Sequence, residues 1–443
     1  MPHIRIPDKV RYILKTLRSA GFEAYVVGGC VRDCLIGRQP GDWDITTSAL
    51  PLQVKALFRR TIDTGLQHGT VTVMLQQDAF EVTTYRLDST YSDGRHPDSV
   101  SFTTSLAEDL RRRDFTINAM AYAPDSGLVD LFGGLEDLRA GCIRAVGNPF
   151  ERFDEDALRI MRAVRFAAQL GFAIEEQTLR AIHRFAERLR LISSERIREE
   201  LVKLLVSPHP EMFSLLHQTG ITAVIFPRFD EMLLTPQRTV YHSYNVGEHT
   251  LRVLQSIPAE PVLRLAALLH DTGKTQAAST DEGGHSHFKG HAALGAAFAE
   301  QFLRELRFDN HTIHDVCLLI KHHDDRFPAE PAAVRRALGR IGTELFPFYL
   351  ALLEADCLGK SEYARRESLP YIHKLRELYA EVLRAGECFT LGQLAVKGGD
   401  LIKAGVKPGK QLGELLHQML EDVLENPAHN TAEYLLGTYV PRE

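Results

Sequence analysis

The stretch Tyr25-Val-Val-Gly-Gly-Cys-Val-Arg-Asp-Cys-Leu-Ile-Gly37, continuing to Gly41-Asp-Trp-Asp-Ile45, leaves this chain few options. Tyr25 to Val27 reads as the end of a buried strand, and Gly28-Gly29 as a tight turn into a short helix. Glycines let backbone N–H groups approach a ligand, and a helix N-terminus adds partial positive charge, so the turn suits a phosphate. Arg32 lies one turn further on, where a guanidinium can grip the same phosphates. Asp42 and Asp44 follow, one residue apart. On a strand, residues i and i+2 share a face, so the two carboxylates are expected to converge on one point. Such a pair needs a cation, and carboxylate plus phosphate oxygens are what Mg²⁺ prefers. Turn, arginine and carboxylate pair together describe a metal-dependent site for a nucleoside triphosphate.

These residues resemble motif A of the nucleotidyltransferases related to DNA polymerase β. Gly-Gly-x-Val-Arg-Asp followed by Asp-x-Asp is similar in particular to the CCA-adding tRNA nucleotidyltransferases and bacterial poly(A) polymerases. The resemblance implies Asp42 and Asp44 as catalytic metal ligands and Gly29 and Arg32 as triphosphate contacts.

At 443 residues, the chain is too long for one ordinary core, and two to four domains are expected. No apolar run approaches the roughly 18–20 residues of a membrane span. The opening Met1-Pro-His-Ile-Arg-Ile-Pro-Asp8 lacks the apolar centre of a signal peptide. Cys30, Cys34, Cys142, Cys317, Cys357 and Cys388 show no paired-ligand spacing and read as small buried hydrophobes. A cytoplasmic protein, without a membrane partner, is expected. The net charge of −6 argues against a uniformly basic surface, not against local Arg and Lys clusters that meet RNA.

Residues 7–20 read as an amphipathic helix with Val10, Ile13, Leu14 and Leu17 on one face. Leu50–Arg60 reads as helix, and Gly69–Leu75 and Phe80–Arg86 as strands. Glu81 is either a third metal-directed carboxylate or an edge-strand glutamate facing water. Leu87–Val100, with Asp93-Gly-Arg95 and His96-Pro-Asp98, reads as a loop. In the family resembled, a flexible loop here helps the switch from CTP to ATP. Asp109-Leu-Arg-Arg-Arg-Asp-Phe-Thr-Ile-Asn-Ala-Met-Ala121 is similar to the family's Arg-Arg-Asp-Phe-Thr-Ile-Asn-Ala motif, which assigns a nucleotide contact to Arg113, with Arg112 in reserve. Asp130-Leu-Phe-Gly-Gly-Leu-Glu-Asp-Leu138 closes the first domain.

Phe150–Gly171 reads as one helix with Gly171 as its C-cap. Asp156, Arg159, Arg162 and Arg165 recur at steps of three along a drifting face. That pattern is either a surface salt-bridge ladder or a device for reading bases. In the second case a carboxylate accepts from the exocyclic amine common to C and A, an arginine donates to the adjacent ring atom, and G and U present the opposite pattern. Glu155, Asp156 and Arg159 match the family's Glu-Asp-x-x-Arg motif, which implies base reading by Asp156 and Arg159, with Arg162 and Arg165 near the triphosphate or RNA end. From Glu175 to Val206 two more helices are expected, whose arginines, Arg196 among them, read mostly as a solvated face.

Beyond Pro208–Pro236 a histidine series begins: His249, His270-Asp271, His291, His322-His323-Asp324 and Asp356. Imidazoles and carboxylates from several helices suit a divalent metal. With Leu-Leu-His-Asp-Thr-Gly-Lys, the series resembles the HD phosphohydrolases. That implies a second divalent cation on His249, His270, Asp271, His291, His323 and Asp356. In the C-terminal segment, Lys403, Lys407 and Lys410 beside a helix start near Gly409 form either a phosphate clamp or an ordinary connection, and the segment resembles the family's tRNA-binding tail.

The resemblance covers nearly the whole chain. It implies an α+β, polymerase β-like nucleotidyltransferase head with a mixed or antiparallel sheet at 1–140. An all-α remainder follows as a base-reading neck at 141–225, an HD domain at 226–370 and a tail at 371–443. The implied activity is template-independent addition of C-C-A to the tRNA 3′ end from CTP and ATP. The alternatives are an A-only adding enzyme, a bacterial poly(A) polymerase, or an HD phosphohydrolase with a nucleotide-sensing head.

Overall fold

In the computed structural model, which describes residues 4–88 and 100–440, the chain divides into two units, Met1–Pro227 and Arg228–Glu443. The loop expected at Leu87–Val100 lies outside the described residues apart from its ends.

The first unit opens with helix α1 (Asp8–Ser19), which buries Val10, Ile13, Leu14 and Leu17 as its i, i+3, i+4, i+7 spacing requires. Each contributes roughly 1.5–3 kcal/mol of hydrophobic stabilisation. Strand β1 (Ala24–Val27), rich in β-branched residues, leads through Gly28 into α2 (Gly29–Leu35). Then come β2 (Ile45–Thr47), α3 (Pro51–Leu57), β3 (Thr61–Gly65), β4 (Thr70–Leu75) and β5 (Asp78–Thr84). Strands β6 (Arg86–Asp88) and β7 (Val100–Phe102) pair with each other, and α4 (Leu106–Arg111) precedes β8 (Met120–Ala123) and β9 (Gly127–Asp130).

Seven strands form one sheet in the order β3-β4-β5-β2-β1-β8-β9. The β2–β5 pair is parallel and its other neighbours are antiparallel, so the sheet is mixed, as expected. Central β1 is buried by its neighbours, which places the Gly28 turn at the sheet's end and the carboxylate pair beside it. One expectation fails in detail. Asp42 and Asp44 do not lie on a strand: β2 begins only at Ile45. The ladder reaches Asp44 through a single bond, Val27 N–H to the Asp44 carbonyl at 3.0 Å, while the Gly41 bend carries Asp42 away from any partner strand.

After α5 (Gly134–Ala140), the expected helix over Phe150–Gly171 is two helices, α6 (Pro149–Glu155) and α7 (Leu158–Leu170). Asp156 separates them with an extended backbone, φ −138° and ψ 102°. Its side chain accepts from the Leu158 amide at 3.0 Å, the local bond by which Asp competes with helical hydrogen bonding. Asp156 is therefore not on the helical face of Arg159, Arg162 and Arg165. Gly171 caps α7 at φ 72°, as expected. Helices α8 (Glu176–Phe185) and α9 (Ser194–Leu205) follow, and α9 packs along α7.

The second unit is helical apart from a small hairpin pairing Ser279–Thr280 with Ser286–His287. Its core gathers the helices Val246–Ser256, Pro261–Leu269, Asn310–His322 and Phe346–Gly359. Pro261–Leu269 is buried almost all round. A separate apolar cluster of Leu394, Val396, Leu401, Met419, Val423 and Leu435 supports the C-terminal helix Lys410–Glu425. None of the described helices is long and apolar enough to cross a membrane.

Candidate active site and candidate metal centre

Where β1 ends, Gly28 takes φ 80° and ψ −131°, a conformation only glycine adopts without strain. A Cβ there would meet Arg113 Nη1 at 3.1 Å, so the glycine also makes room for that guanidinium. Arg113 lies 3.6 Å from the fully buried Asp109, and its own Nε is buried without a partner among the described residues. An unpaired buried donor beside a glycine turn is what an anionic ligand would complete.

Asp42 and Asp44 are both exposed to solvent. Even so, partial loss of hydration, then Asp42 and more weakly Glu81, push the Asp44 carboxyl up to about 6, against the pull of Arg113. Three carboxylates thus crowd one region, and Glu81 on β5 is the third. Their mutual repulsion and all-oxygen chemistry fit a divalent cation of the Mg²⁺ kind. The same surroundings act on the next helix: burial, then Asp44, pushes the Cys30 thiol up to about 12.

Arg32 is buried rather than presented at the surface. It donates to Asn118 Oδ1 at 2.7 Å and to Asp33 at 2.9 Å. Asn118 in turn donates to Asp114 at 3.1 Å, and Asp114 accepts from Arg162 at 2.8 and 2.6 Å. Arg162 lies 3.9 Å from Glu200, which also pairs with Arg165. Guanidiniums of Arg32, Arg162 and Arg165 all pack on the Phe166 ring, the nearest at 3.9 Å from its centroid. Burial alone would raise Asp114, but Arg162, Asn118 and the Phe115 amide outweigh it and lower its pKa to about 2. The sequence assigned no role to Asn118, although it lies in the quoted motif, or to Glu200, because the arginine each holds is distant in the chain.

Arg159 is buried and its donors are engaged. Nη1 donates to the Arg152 carbonyl at 3.0 Å and to Glu155 at 2.9 Å, and Nη2 to the Arg112 carbonyl at 3.1 Å. It borders a cavity of about 150 Å³ whose walls include Arg111, Arg112, Arg152 and Glu155. The other carboxylate oxygen of Asp156 accepts from Arg196 on α9 at 3.4 Å.

In the second unit the histidine series converges. His249 Nε2 lies 3.0 Å from Asp356 Oδ1, 3.4 Å from His270 Nε2 and 3.6 Å from Asp271 Oδ2. On the opposite side, His291 and His323 Nε2 are 3.2 Å apart and each 3.6 Å from Asp271 Oδ1. The outer nitrogens of His270, His291 and His323 bond backbone carbonyls at 2.8, 2.9 and 2.6 Å, which turns every Nε2 inward. His322 instead faces Asp325 at 2.8 Å. Burial opposes charge on Asp271, yet His270 and Lys274 outweigh it and hold its pKa far below the usual range. The ligand atoms of His249, His270 and Asp271, and of Asp271, His291 and His323, are close enough to hold metal, and the donor set fits a divalent transition ion. A cavity of about 390 Å³ adjoins them, with Lys274, Lys289 and Lys360 in its wall. Lys360 bonds Asp356 at 2.6 Å, and His242 stands edge-on to His249, its pKa lowered to about 3 by burial and Lys274. The sequence reading had singled out neither residue.

Three family profiles match. They are a poly A polymerase head domain over residues 24–144, a probable RNA- and SrmB-binding site of polymerase A over 171–233, and an HD domain over 239–366. A CCA-adding enzyme of Lactobacillus helveticus is 56% identical over 208 residues, 46% of this chain and 52% of that one. One from Levilactobacillus brevis is 54% identical over 204 residues, 46% and 51%. The matched stretch thus spans about half the length of these curated relatives. Among solved structures, the Bacillus stearothermophilus CCA-adding enzyme in complex with CTP is 33% identical with a TM-score of 0.73, covering 97% of this chain and 96% of that one. A Thermotoga maritima CCA-adding enzyme complexed with tRNA, 22% identical with a TM-score of 0.61 and covering 98% and 95%, shares the fold.

Proposed function

The chain belongs to the CCA-adding enzyme family, and from that premise we propose that it adds C, C and A to the tRNA 3′ end from CTP and ATP, in the cytoplasm. The observation that carries the reading is that Asp42 and Glu81 press on the Asp44 carboxyl while Arg113, beside the Gly28 turn, pulls against them. Asp42 and Asp44 hold Mg²⁺ in this reading. When bound, Mg²⁺ lowers the pKa of the 3′-hydroxyl and stabilises charge on the departing pyrophosphate. The hydroxyl oxygen bonds the α-phosphorus as its proton passes to solvent, and the α–β anhydride bond breaks to release pyrophosphate.

Gly29 offers its backbone N–H to the triphosphate, and Arg113 completes its free donor on the nucleotide. Arg32, held by Asn118 and Asp33, contributes a fixed positive field rather than a mobile grip. Asp156 accepts from the exocyclic amine of C or A, and Arg159, once it releases a backbone carbonyl, donates beside it. Arg162, on Asp114, keeps α7 in register with the head, and Arg165, on Glu200, with α9. Selectivity follows because U or G leaves buried polar groups unpaired. The head occupies 1–140, the neck 141–225, the HD domain 226–370 and the tail 371–443.

The converging histidine ligands and the lysine-walled cavity support a second activity, metal-dependent hydrolysis of a phosphate ester, on His249, His270, Asp271, His291, His323 and Asp356. The test uses tRNA transcripts lacking CCA, lacking only A, and complete, each with Mg²⁺ and CTP, ATP or both. Three residues added to the shortest, then a stop, is the expected result. Extension of the CC-ended tRNA alone means an A-adding enzyme, and a long ATP ladder means a poly(A) polymerase. With no extension, and hydrolysis of a 2′,3′-cyclic phosphate that survives Asp42→Ala, the HD domain carries the activity alone.

A further inference from the structure

We propose that a second cavity beside the histidine cluster is a base subsite, in which Thr239 and His242 select the base of a nucleoside phosphate whose phosphate lies at the cluster. The inference rests on the proposed phosphate-ester hydrolysis there, in which a water oxygen bonds phosphorus, one ester P–O bond breaks and the freed ribose oxygen takes the proton. This cavity, of about 340 Å³, shares His242, Phe288 and Lys360 with the metal-side cavity, so one ligand can occupy both. The two differ in character. The metal-side cavity adds Lys274 and Lys289, which suit phosphate oxygens. The second adds Tyr241 with one residue of each charge, Arg326 and Glu367, which suits a flat polar heterocycle better than another phosphate.

Two residues in its wall carry a buried polar atom with no partner among the described residues: Thr239 Oγ1 and His242 Nδ1. Such atoms cost stability until something completes them. The Thr239 hydroxyl can turn about its Cα–Cβ bond into the cavity without breaking a hydrogen bond. A hydroxyl and an imidazole nitrogen together can meet the donor and acceptor edge of a base. Their segment is pinned. Ser361 donates from Oγ to the Val240 carbonyl at 2.7 Å and from its amide to the Tyr241 carbonyl at 2.9 Å, while Ser286 Oγ accepts from the Arg238 amide at 3.0 Å. Phe288, common to both cavities, is fixed by the cluster itself, since its carbonyl bonds His291 Nδ1 at 2.9 Å. A base resting on that ring has its phosphate directed to the metal-side cavity.

The experiment measures kcat/KM of the full chain, with Mn²⁺, Co²⁺ and Ni²⁺ in turn, for adenosine 2′,3′-cyclic phosphate and for methyl riboside 2,3-cyclic phosphate, which lacks only the base. Wild type is expected to prefer the adenosine ester about tenfold or more. Thr239→Val and His242→Gln, each checked for metal content, should cut that preference severalfold, and Thr239→Ser should keep most of it because the hydroxyl remains. A second readout needs no turnover: 8-azidoadenosine 2′-monophosphate, crosslinked by light and mapped by mass spectrometry, should label the peptides carrying Tyr241 or Phe288. A variant whose preference is unchanged, or whose losses are equal for the two esters, strikes that residue from the subsite. Both variants behaving so, equal rates for the two esters in wild type, or label absent from both peptides overturns the inference. Hydrolysis of neither ester by wild type removes the phosphohydrolase reading itself, and the subsite with it.

Discussion

Replacing Asp114 by Asn tests whether the buried link between head and neck stabilises the first unit. The carboxylate accepts from the Phe115 amide at 2.8 Å and Asn118 at 3.1 Å on one oxygen, and from Arg162 at 2.8 and 2.6 Å on the other. An amide would set its NH₂ against one of those donor groups and leave Arg162 with only Glu200, 3.9 Å away. The drop of the Asp114 pKa from 3.8 to about 2 corresponds to roughly 2–3 kcal/mol. With a urea dependence on the order of 2.5 kcal/mol per M, the midpoint should fall by about 1 M. The sole tryptophan, Trp43, lies in this unit, so its fluorescence reports the unit directly. Because the folded pKa is depressed, the stabilisation is complete above the unfolded value and is lost as pH falls through the folded one. The gap between wild type and Asp114→Asn should therefore be full near pH 7 and about half as large at pH 3. Equal midpoints at neutral pH, or a gap that ignores pH, would refute the reasoning.

Other expectations follow from local geometry. Gly28→Ala forces a side chain into a glycine-only conformation and to 3.1 Å from Arg113 Nη1. Steady-state kinetics should show at least a tenfold loss of kcat/KM for CTP and ATP alike, and an unchanged value would remove Arg113 from the nucleotide site. Gly134→Ala would place a Cβ 2.2 Å from the Thr116 carbonyl and should lower the Trp43 urea midpoint. Asp271→Asn removes the carboxylate that both histidine pairs face, so elemental analysis after dialysis should find far less bound transition metal than in wild type. Retention of the full metal content would show that the ion binds elsewhere.

What could be read from the sequence was what neighbours in the chain determine. The strand, glycine turn and short helix of Ala24–Leu35 follow from local residue choice, and the α1 face from its spacing. The histidine cluster was legible although His249 and Asp356 stand far apart, because few other settings collect those residue types. The helix break was hidden: the arginine spacing runs straight through Asp156, and only the carboxylate's bond to Leu158 decides against helix there. Strand β3 was missed because an edge strand exposed on both faces shows no alternation. Asp109 reads as one more surface acid, yet it is fully buried under Arg112, Arg113 and Thr46. Such burial is fixed by partners that folding brings in. Lys360 and Arg196 share that blindness: a lone basic residue on a helix looks solvated until its carboxylate arrives.

The interruption at Asp156 has a consequence for how such a site can be retuned. A side chain on a continuous helix is locked to its neighbours' phase, so an insertion or deletion in that helix rotates everything beyond it by about 100° per residue. Here one extended residue uncouples the two helices. Arg159, Arg162 and Arg165 keep their common phase within α7, while the Asp156 carboxylate is held by the Leu158 amide at the start of α7 and by the Arg196 side chain on α9. Its direction can change by substitution on α9 alone, without re-indexing the arginine row.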